Sequence, residues 1–340
     1  MSDLEKLIAF DNIEHLVSEE TRNKILSDLN INNGEEVEKR LIGKKKEDEF
    51  LLFLILLDVC SIMPIDESIT KILEEASCDF IIQMKDCQKS FMLEIKHTDK
   101  EEYKISSGNL QKRIDYANSR GYELYFAISI KGCWMLFSQK YIQSKNGKIT
   151  IKEDYLNSEL DNIFHTCSYH FVREMKIETI YSKKSIPKNM FVKNKDYGNL
   201  ISYKLYCDNK QIFEINDNED KKDYIPCIVI LQGLQDELSK INQCVKEKDD
   251  FIIITEYGSN FIIPEYVLLL SIINHAICGK NKTYDAHTIL KESKNKGKSE
   301  LINKNYILLI RGIIKDLCIN KKVPIICKKG NKCYNIPNSK

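Results

Sequence analysis

Apolar and polar positions in the first half of the chain follow a helical period in some segments and a strand-like period in others. Apolar residues recur at helical spacing over residues 47–61, behind an acidic first turn, and again over residues 108–119. Alternating apolar runs predict strands at residues 79–84, 90–96, 123–130 and 133–138. A tight turn at Lys131-Gly132 would join the last two strands. The order helix, hairpin, helix, hairpin predicts one α/β unit that ends near residue 145.

Beyond residue 145 the pattern becomes a mixture of helical and strand-like segments. The helical periods predict helices at residues 225–245, 264–277, 285–292 and 300–319. Alternating runs separated by turn residues predict hairpins at residues 200–215, 251–263 and 323–336. Helices followed by a short terminal hairpin are typical of a winged helix, so we expect one at the end of the chain.

Charge is distributed unevenly along a chain that is nearly neutral as a whole. The 340 residues include 51 basic and 50 acidic ones, a net charge of +1, and their 43% hydrophobic content is ordinary for a globular protein. Residues 279–340 hold 15 basic and 4 acidic residues, a net charge of +11, which leaves −10 on the other 278 residues. A basic segment of this kind indicates a phosphate-binding surface. Because 45 of the 51 basic residues are lysines, an AT-rich genome is the competing explanation.

The sequence shows no pattern of a secretory signal or of a membrane span. Its N-terminus carries acidic residues and lacks an apolar core of the required length. The longest apolar run, from Phe50 to Leu57, has 8 residues, whereas a spanning helix needs about 20. The 12 cysteines form no C-x-x-C pair. We therefore expect a cytoplasmic protein with reduced thiols and no membrane partner.

His165, Cys167 and His170 come closest to the spacing of a zinc-ligand cluster. A zinc site there would need a fourth ligand, and the sequence does not identify one. The competing interpretation is a helix that carries three unrelated polar side chains, and this simpler interpretation is the one we favour.

The residues with the clearest chemistry lie in the first predicted hairpin. Asp79 begins one strand, and Glu94 and Lys96 stand two residues apart in the next, so their side chains share one face of the sheet. Pairing of the two strands would bring Asp79 near Glu94. Two carboxylates and the main-chain carbonyl of Ile95 suit Mg²⁺ or Mn²⁺, since Mg²⁺ prefers oxygen ligands and keeps several waters. A lysine beside the metal could orient or deprotonate the water that attacks a phosphodiester.

At these residues the sequence resembles the PD-(D/E)xK nuclease superfamily, and within it the archaeal Holliday-junction resolvases and their bacterial relatives. Asp79 matches the first acid of the motif, and Glu94-Ile95-Lys96 matches its ExK, although Cys78 stands where a proline is common. The resemblance covers about residues 41–140. It implies an α/β fold with a restriction-endonuclease-like mixed sheet flanked by helices.

The resemblance also implies site residues on the two flanking helices. Family members carry a glutamate on the helix before the hairpin, and Glu47 and Glu49 are both available. We prefer Glu47 because it lies on the same helical face as Phe50 and Leu54. Gln111, on the helix after the motif, either lines the site or is an ordinary solvated position.

The predicted organisation has four parts, in which the α/β nuclease fold is followed by an α+β region. They are an N-terminal helical segment at 1–40, the nuclease domain at 41–145, an α+β domain of unknown role at 150–255, and a basic domain at 256–340 with a candidate winged helix. The residues expected to bind DNA are basic: Lys112, Arg113, Lys321, Lys322, Lys328, Lys329 and Lys332. Plain surface positions are the alternative for Lys112 and Arg113.

Together these patterns predict a metal-dependent DNA endonuclease in which Glu47, Asp79, Glu94 and Lys96 are catalytic. We expect a restriction or anti-phage defence nuclease, because roughly 200 residues lie outside the nuclease domain. The alternatives are a structure-specific nuclease for branched DNA and a non-catalytic DNA-binding protein that retains the fold, in which Glu94 and Lys96 form a mere surface ion pair. DNA is the expected partner, RNA stays open as a substrate, and a homodimer is one option.

Overall fold

The computed structural model describes most of the chain. The described residues are 6, 10, 17–29, 34–65, 77–87, 89–184, 193–194, 196–216, 225–277, 286, 289–290, 305–329 and 332–335. Contacts divide the chain into two compact units. The first comprises Met1–Leu54, Ser61–Tyr155 and Tyr284–Ser299, and the second comprises Ile55–Cys60, Leu156–Thr283 and Glu300–Lys340. Most of the helix predicted at 285–292 lies outside the described residues.

Through residue 155 the chain forms five helices and seven strands within the described residues. The helices are α1 (Glu19–Asp28), α2 (Gly34–Leu57), α3 (Ser107–Ser119), α4 (Gln139–Ser144) and α5 (Ile151–Asp154). The strands are β1 (Cys60–Pro64), β2 (Phe80–Met84), β3 (Ser90–Thr98), β4 (Glu102–Lys104), β5 (Glu123–Ile130), β6 (Cys133–Ser138) and β7 (Lys148–Thr150). The predicted mixed α/β pattern is therefore confirmed for this part of the chain. The bounds of the helix predicted at 47–61 are wrong, because α2 begins at Gly34 and residues 60–61 belong to β1.

The main sheet of the first unit has the strand order β1-β2-β3-β5-β6. The pairs β2–β3 and β5–β6 are antiparallel, whereas β3 and β5 are parallel, with α3 as the crossover between them. The turn between β5 and β6 has Lys131 and Gly132 at positive φ, as a two-residue hairpin turn requires. The short strands β4 and β7 form a separate antiparallel pair.

Strand β3 lies in the centre of this sheet and is buried on both faces from Phe91 to Ile95. On one face, Met92 packs in a cluster with Leu110 and Ile114 of α3. The opposite side of the sheet carries Trp134 of β6, whose ring lies 4.7 Å from that of Phe50 on α2. Glu94, the polar residue within this buried segment, is therefore largely removed from solvent.

The remaining described residues form four helices and ten strands. The helices are α6 (Leu160–Ile163), α7 (Ile225–Ile241), α8 (Glu265–Ile277) and α9 (Asn305–Ile319). The strands are β8 (Ser168–Phe171), β9 (Met175–Ser182), β10 (Lys193–Asn194), β11 (Gly198–Cys207), β12 (Lys210–Asn216), β13 (Gln243–Lys248), β14 (Phe251–Gly258), β15 (Phe261–Pro264), β16 (Ile325–Lys329) and β17 (Lys332–Asn335). A six-stranded sheet has the order β10-β11-β9-β14-β13 with β12 on β11, and a four-stranded sheet has the order β15-β8-β16-β17.

Three sequence-based expectations for this part of the chain are wrong. The helix predicted at 225–245 ends at Ile241, and residues from Gln243 onward belong to β13. Residues 251–263 do not form a hairpin, because β14 pairs with β9 and β13 while β15 pairs with β8. Residues 165–170 are a turn followed by a strand and not a helix, with His165 in the left-handed region. In the second and third cases pairing with distant strands overrides the local pattern, whereas β13 forms a local hairpin with β14.

In the part of the chain that the structure describes, none of the helices combines the length and the apolar character needed to cross a membrane.

Candidate functional site

Asp79 lies directly before β2 and is tied to β3 at two points. Its backbone N–H donates to the carbonyl of Leu93 at 3.1 Å. Its Oδ2 accepts a hydrogen bond from the backbone N–H of Ile95 at 2.6 Å. The carboxylate is therefore held beside the segment of β3 that carries Glu94, Ile95 and Lys96.

Glu94 points to the α3 side of the sheet, and its side chain is only 1% exposed. Its Oε1 accepts hydrogen bonds from Lys96 Nζ and from Arg113 Nε, each at 2.6 Å. Its other oxygen, Oε2, is buried and has no hydrogen-bond partner among the described residues. A buried carboxylate oxygen without a partner is costly, so this atom is a ready ligand for a cation.

The electrostatics of the site follow from burial and from like charges held close together. Burial raises the pKa of Asp79 to about 8, with further increases from the charges of Glu94 and Glu47, against the opposing effects of Lys96 and the Ile95 N–H. Burial alone would lower the pKa of Lys96, but the carboxylates of Glu94 and Asp79 outweigh it, so that this pKa is raised. Lys96 is therefore an ammonium at neutral pH.

The raised pKa of Asp79 predicts that the metal-free protein loses stability as the pH rises. The folded state binds this proton more tightly than the unfolded state, whose carboxyl has an ordinary pKa near 3.8. The contribution is present below pH 4 and is lost progressively up to about pH 8. We expect the thermal midpoint in EDTA to fall more between pH 5 and pH 8 for the wild type than for Asp79→Asn. Equal falls in both proteins would contradict the assignment of this proton to Asp79.

The two candidate glutamates on α2 have different surroundings. The charge of Glu47 acts on Asp79. Glu49 instead accepts a hydrogen bond from Trp134 Nε1 at 2.8 Å through Oε1, and Lys46 Nζ lies 2.7 Å from its Oε2. Glu49 is thus engaged with the tryptophan, and Glu47 is the α2 acid whose charge acts on the Asp79 carboxylate.

Helix α3 brings one of its three predicted polar residues to the site. Arg113 contacts Glu94 directly, whereas Lys112 is exposed and Gln111 is exposed with its Nε2 donating to Asp115 Oδ1 at 2.8 Å. The sequence pattern did not predict the partnership of Arg113 with Glu94. One feature of the sequence could have indicated this contact. Arg113 comes three positions after Leu110, a buried residue of α3, and so lies near the packed face of the helix.

Tyr103 on β4 is a second residue that the sequence analysis missed. Burial raises the pKa of its hydroxyl to about 12, and the charges of Lys96, Glu94 and Arg113 act on it. The sequence of this three-residue strand does not predict that Tyr103 lies near Lys96 and Glu94. The position of β4 depends on its pairing with β7, more than 40 residues later in the chain.

The predicted DNA-binding lysines of the second unit differ in exposure. Lys321, Lys322, Lys329 and Lys332 are exposed. Lys328 is only 7% exposed, and its ammonium lies 2.9 Å from Asp161 Oδ2 on α6. An ammonium held in a buried ion pair is not presented to a phosphate, so Lys328 is better explained by packing of β16 against α6.

The donor set of the first unit fits a magnesium-type cation, whereas the zinc cluster considered above is not found. Within the described residues no group of three or more His, Cys, Asp or Glu side chains could hold a metal ion, and His170 Nε2 is hydrogen-bonded to Asn260 Oδ1 at 2.8 Å. Mg²⁺ needs only one or two protein carboxylates because it retains waters. The unpartnered Glu94 Oε2 and the mutual repulsion of Glu94 and Asp79 are what such a cation would relieve.

Comparison with known proteins adds little to this geometry. No protein-family model matches the sequence, and a search of curated proteins found no match. Among solved structures, the chain is similar to Hjc of Archaeoglobus fulgidus, a Holliday junction resolvase from an archaeal hyperthermophile. The similarity covers 32% of this chain and 89% of the resolvase, with 17% sequence identity and a TM-score of 0.28. At that TM-score it supports no argument about function, which therefore rests on the residues themselves.

Proposed function

We propose that the protein is a metal-dependent DNA endonuclease that hydrolyses phosphodiester bonds. The observation that carries the proposal is the arrangement around Glu94, in which one oxygen is bound by Lys96 and the other is buried without a hydrogen-bond partner among the described residues. Asp79 is fixed beside it through the N–H of Ile95. Two acids and a lysine that converge beside one strand are what the PD-(D/E)xK resemblance implies.

Each residue has a role in this proposal. Asp79, Glu94 and the main-chain carbonyl of Ile95 would hold Mg²⁺ or Mn²⁺, which acidifies a bound water and neutralises charge on phosphate. Lys96, an ammonium at neutral pH, orients the attacking water and stabilises negative charge that develops on the phosphate. Glu47 supports the acidic site from α2.

DNA would be positioned by basic residues outside the site. The exposed candidates are Lys112, Lys321, Lys322, Lys329 and Lys332. Residues 279–340 carry a net charge of +11, which supports phosphate binding by this region. We retain a winged helix within residues 256–340, and the four-part domain organisation, as parts of the proposal. The hairpin β16–β17 would be the wing, although β16 also pairs with β8.

Two biological roles compete within this activity. We favour a restriction or anti-phage defence nuclease, because roughly 200 residues beyond the nuclease domain are available for target recognition. A structure-specific nuclease for branched DNA is the alternative. Incubation with linear duplex, single-stranded DNA, a four-way junction and single-stranded RNA, each with Mg²⁺ and with EDTA, separates these roles. We expect Mg²⁺-dependent cleavage of linear duplex, and no hydrolysis of any substrate with any divalent metal would contradict the nuclease assignment.

The two glutamates of α2 provide a matched pair for the same assay. We expect Glu47→Gln to slow cleavage, because it removes the charge that acts beside Asp79. Glu49→Gln, two residues away on the same helix, should leave the cleavage rate close to that of the wild type, because Glu49 is engaged with Trp134. The reverse order of effects would move the helical acid from Glu47 to Glu49.

A further inference from the structure

The six-stranded sheet of the second unit has two different faces. Helix α7 covers one of them: Tyr203 donates its hydroxyl hydrogen to the carbonyl of Leu231 at 3.3 Å, and Gln235 Nε2 donates to Glu256 Oε2 at 2.9 Å. The other face, which we call the open face, carries the alternate residues of the same strands. Across β13, β14, β9 and β11 it holds Lys246, Lys248, Phe251, Ile253, Thr255, Tyr257, Lys176, Glu178, Ile180, Lys204 and Tyr206, assigned by strand register.

Aromatic rings stand at both ends of β14 on the open face. Phe251 is 40% exposed and Tyr257 is 39% exposed, with Ile253 and Thr255 half-buried between them. The two rings are six residues apart, which is about 20 Å along a strand. Each exposed ring offers a flat apolar surface on which a planar group can stack.

The backbone that carries these rings is fixed. Strand β14 pairs with β9 over its whole length and with β13 from Phe251 to Glu256. Beyond the β13–β14 ladder, the N–H of Tyr257 donates to the carbonyl of Asn242 at 3.2 Å. The rings are therefore pre-organised, and a planar ligand could stack on them without an ordering cost in the backbone.

Lysines flank the rings on the same face. Lys246 and Lys248 are exposed on the edge strand β13, where Lys248 is in register with Phe251. Lys176 is in register with both Tyr257 and Tyr206, and its ammonium lies 4.3 Å from the ring centroid of Tyr206.

The acids on this face are fewer than its lysines. Glu178 stands in register with Lys204 on β11, and Lys204 also lies 3.8 Å from Glu214 of β12. The open face has four lysines and these two glutamates, so its net charge is positive among the described residues.

We propose that the open face binds single-stranded DNA, with bases stacked on Phe251 and Tyr257 and phosphates beside Lys246 and Lys248. Aromatic platforms next to a basic track are how proteins bind single strands without reading sequence. A duplex would not fit this chemistry, because its bases are already stacked on one another. A protein partner fits less well, since lysines are depleted at protein–protein interfaces. We choose DNA over RNA because of the proposed deoxyribonuclease activity. The inference that this face binds single strands does not depend on that activity.

The test is fluorescence anisotropy of the full chain with a labelled oligo(dT) of about 20 nucleotides, long enough for the site sizes known for such surfaces, in EDTA so that no cleavage occurs. We expect Phe251→Ala and Tyr257→Ala each to raise the Kd roughly five-fold or more, whereas Tyr257→Phe, which keeps the ring, should bind like the wild type. Lys246→Gln and Lys248→Gln should each weaken binding and reduce its salt dependence.

Lys210→Gln is the matched control, because Lys210 is exposed on the same sheet but in register with Cys207 on the covered face. Unchanged affinity in a Phe251→Ala/Tyr257→Ala double variant with wild-type circular dichroism would overturn the proposal. So would an equal loss in Lys210→Gln, tighter binding of oligo(U) than of oligo(dT), or a dimer in sedimentation that the double variant abolishes. These results leave the cleavage assay of the first unit unaffected, so the two proposals fail independently.

Discussion

Lys96→Ala is expected to lower the rate of Mg²⁺-dependent DNA cleavage by roughly a hundredfold or more, because it removes a preorganised cation from the reacting centre. The ammonium of Lys96 lies 2.6 Å from Glu94 Oε1 and acts electrostatically on Asp79. It is thus placed where negative charge accumulates on the attacked phosphate. Single-turnover cleavage of the best substrate in the panel gives the rate of the chemical step.

Lys140→Ala is the matched control for this change, since Lys140 is an exposed lysine on α4 of the same unit. Calorimetric titration with Mg²⁺ should be run on both variants, because loss of Lys96 also removes a cation that competes with the metal for Glu94. We expect metal binding to persist in Lys96→Ala while cleavage is lost. Cleavage at the wild-type rate by Lys96→Ala would remove Lys96 from the mechanism.

The second large effect is expected in the other unit, at Glu265. This residue begins α8 and is 0% exposed. Arg311 of α9 binds it with two hydrogen bonds, from Nε to Oε1 at 2.9 Å and from Nη2 to Oε2 at 3.0 Å. Tyr169 donates to Oε1 at 2.7 Å and Thr166 to Oε2 at 3.0 Å. Removing one member of such a network leaves the others buried without their partner.

We therefore expect Glu265→Ala to lower the free energy of unfolding by about 3–5 kcal/mol. Urea titration followed by circular dichroism measures the loss. Hydrogen–deuterium exchange should show faster exchange in β8 and α9, which contribute Tyr169 and Arg311. Glu247→Ala, an exposed acid on β13, is the control. A loss from Glu265→Ala no larger than that from Glu247→Ala would show that the network adds nothing to stability.

Much of the first unit could be predicted because its structure is encoded locally. Strands β5 and β6 have the predicted bounds, since each is an apolar run closed by turn residues. The convergence of Glu94 and Lys96 needed only the two-residue period of a strand, and the ion pair between them is present. That pair alone does not test catalysis, so the roles of these residues stay proposals.

What could not be predicted depends on partners that are distant in sequence. Arg113 is 19 residues from Glu94 and Lys328 is 167 residues from Asp161, so no local period relates them. The aromatic and basic face of the second unit arises in the same way, because its residues come from separate strands whose order the sequence does not state. The prediction for residues 243–248 failed for a different reason: β13 forms a local hairpin with β14, but its sequence continues the helical pattern of α7.

The single tryptophan of the chain gives the proposed nuclease site a built-in optical probe. Trp134 is buried against Phe50 and donates to Glu49, two residues after Glu47 on the same helix. All indole fluorescence therefore originates beside the helix that carries the proposed third acid. A cation that draws Glu47 toward Asp79 would shift α2 and alter the quantum yield of that one emitter, so metal titrations need no attached dye.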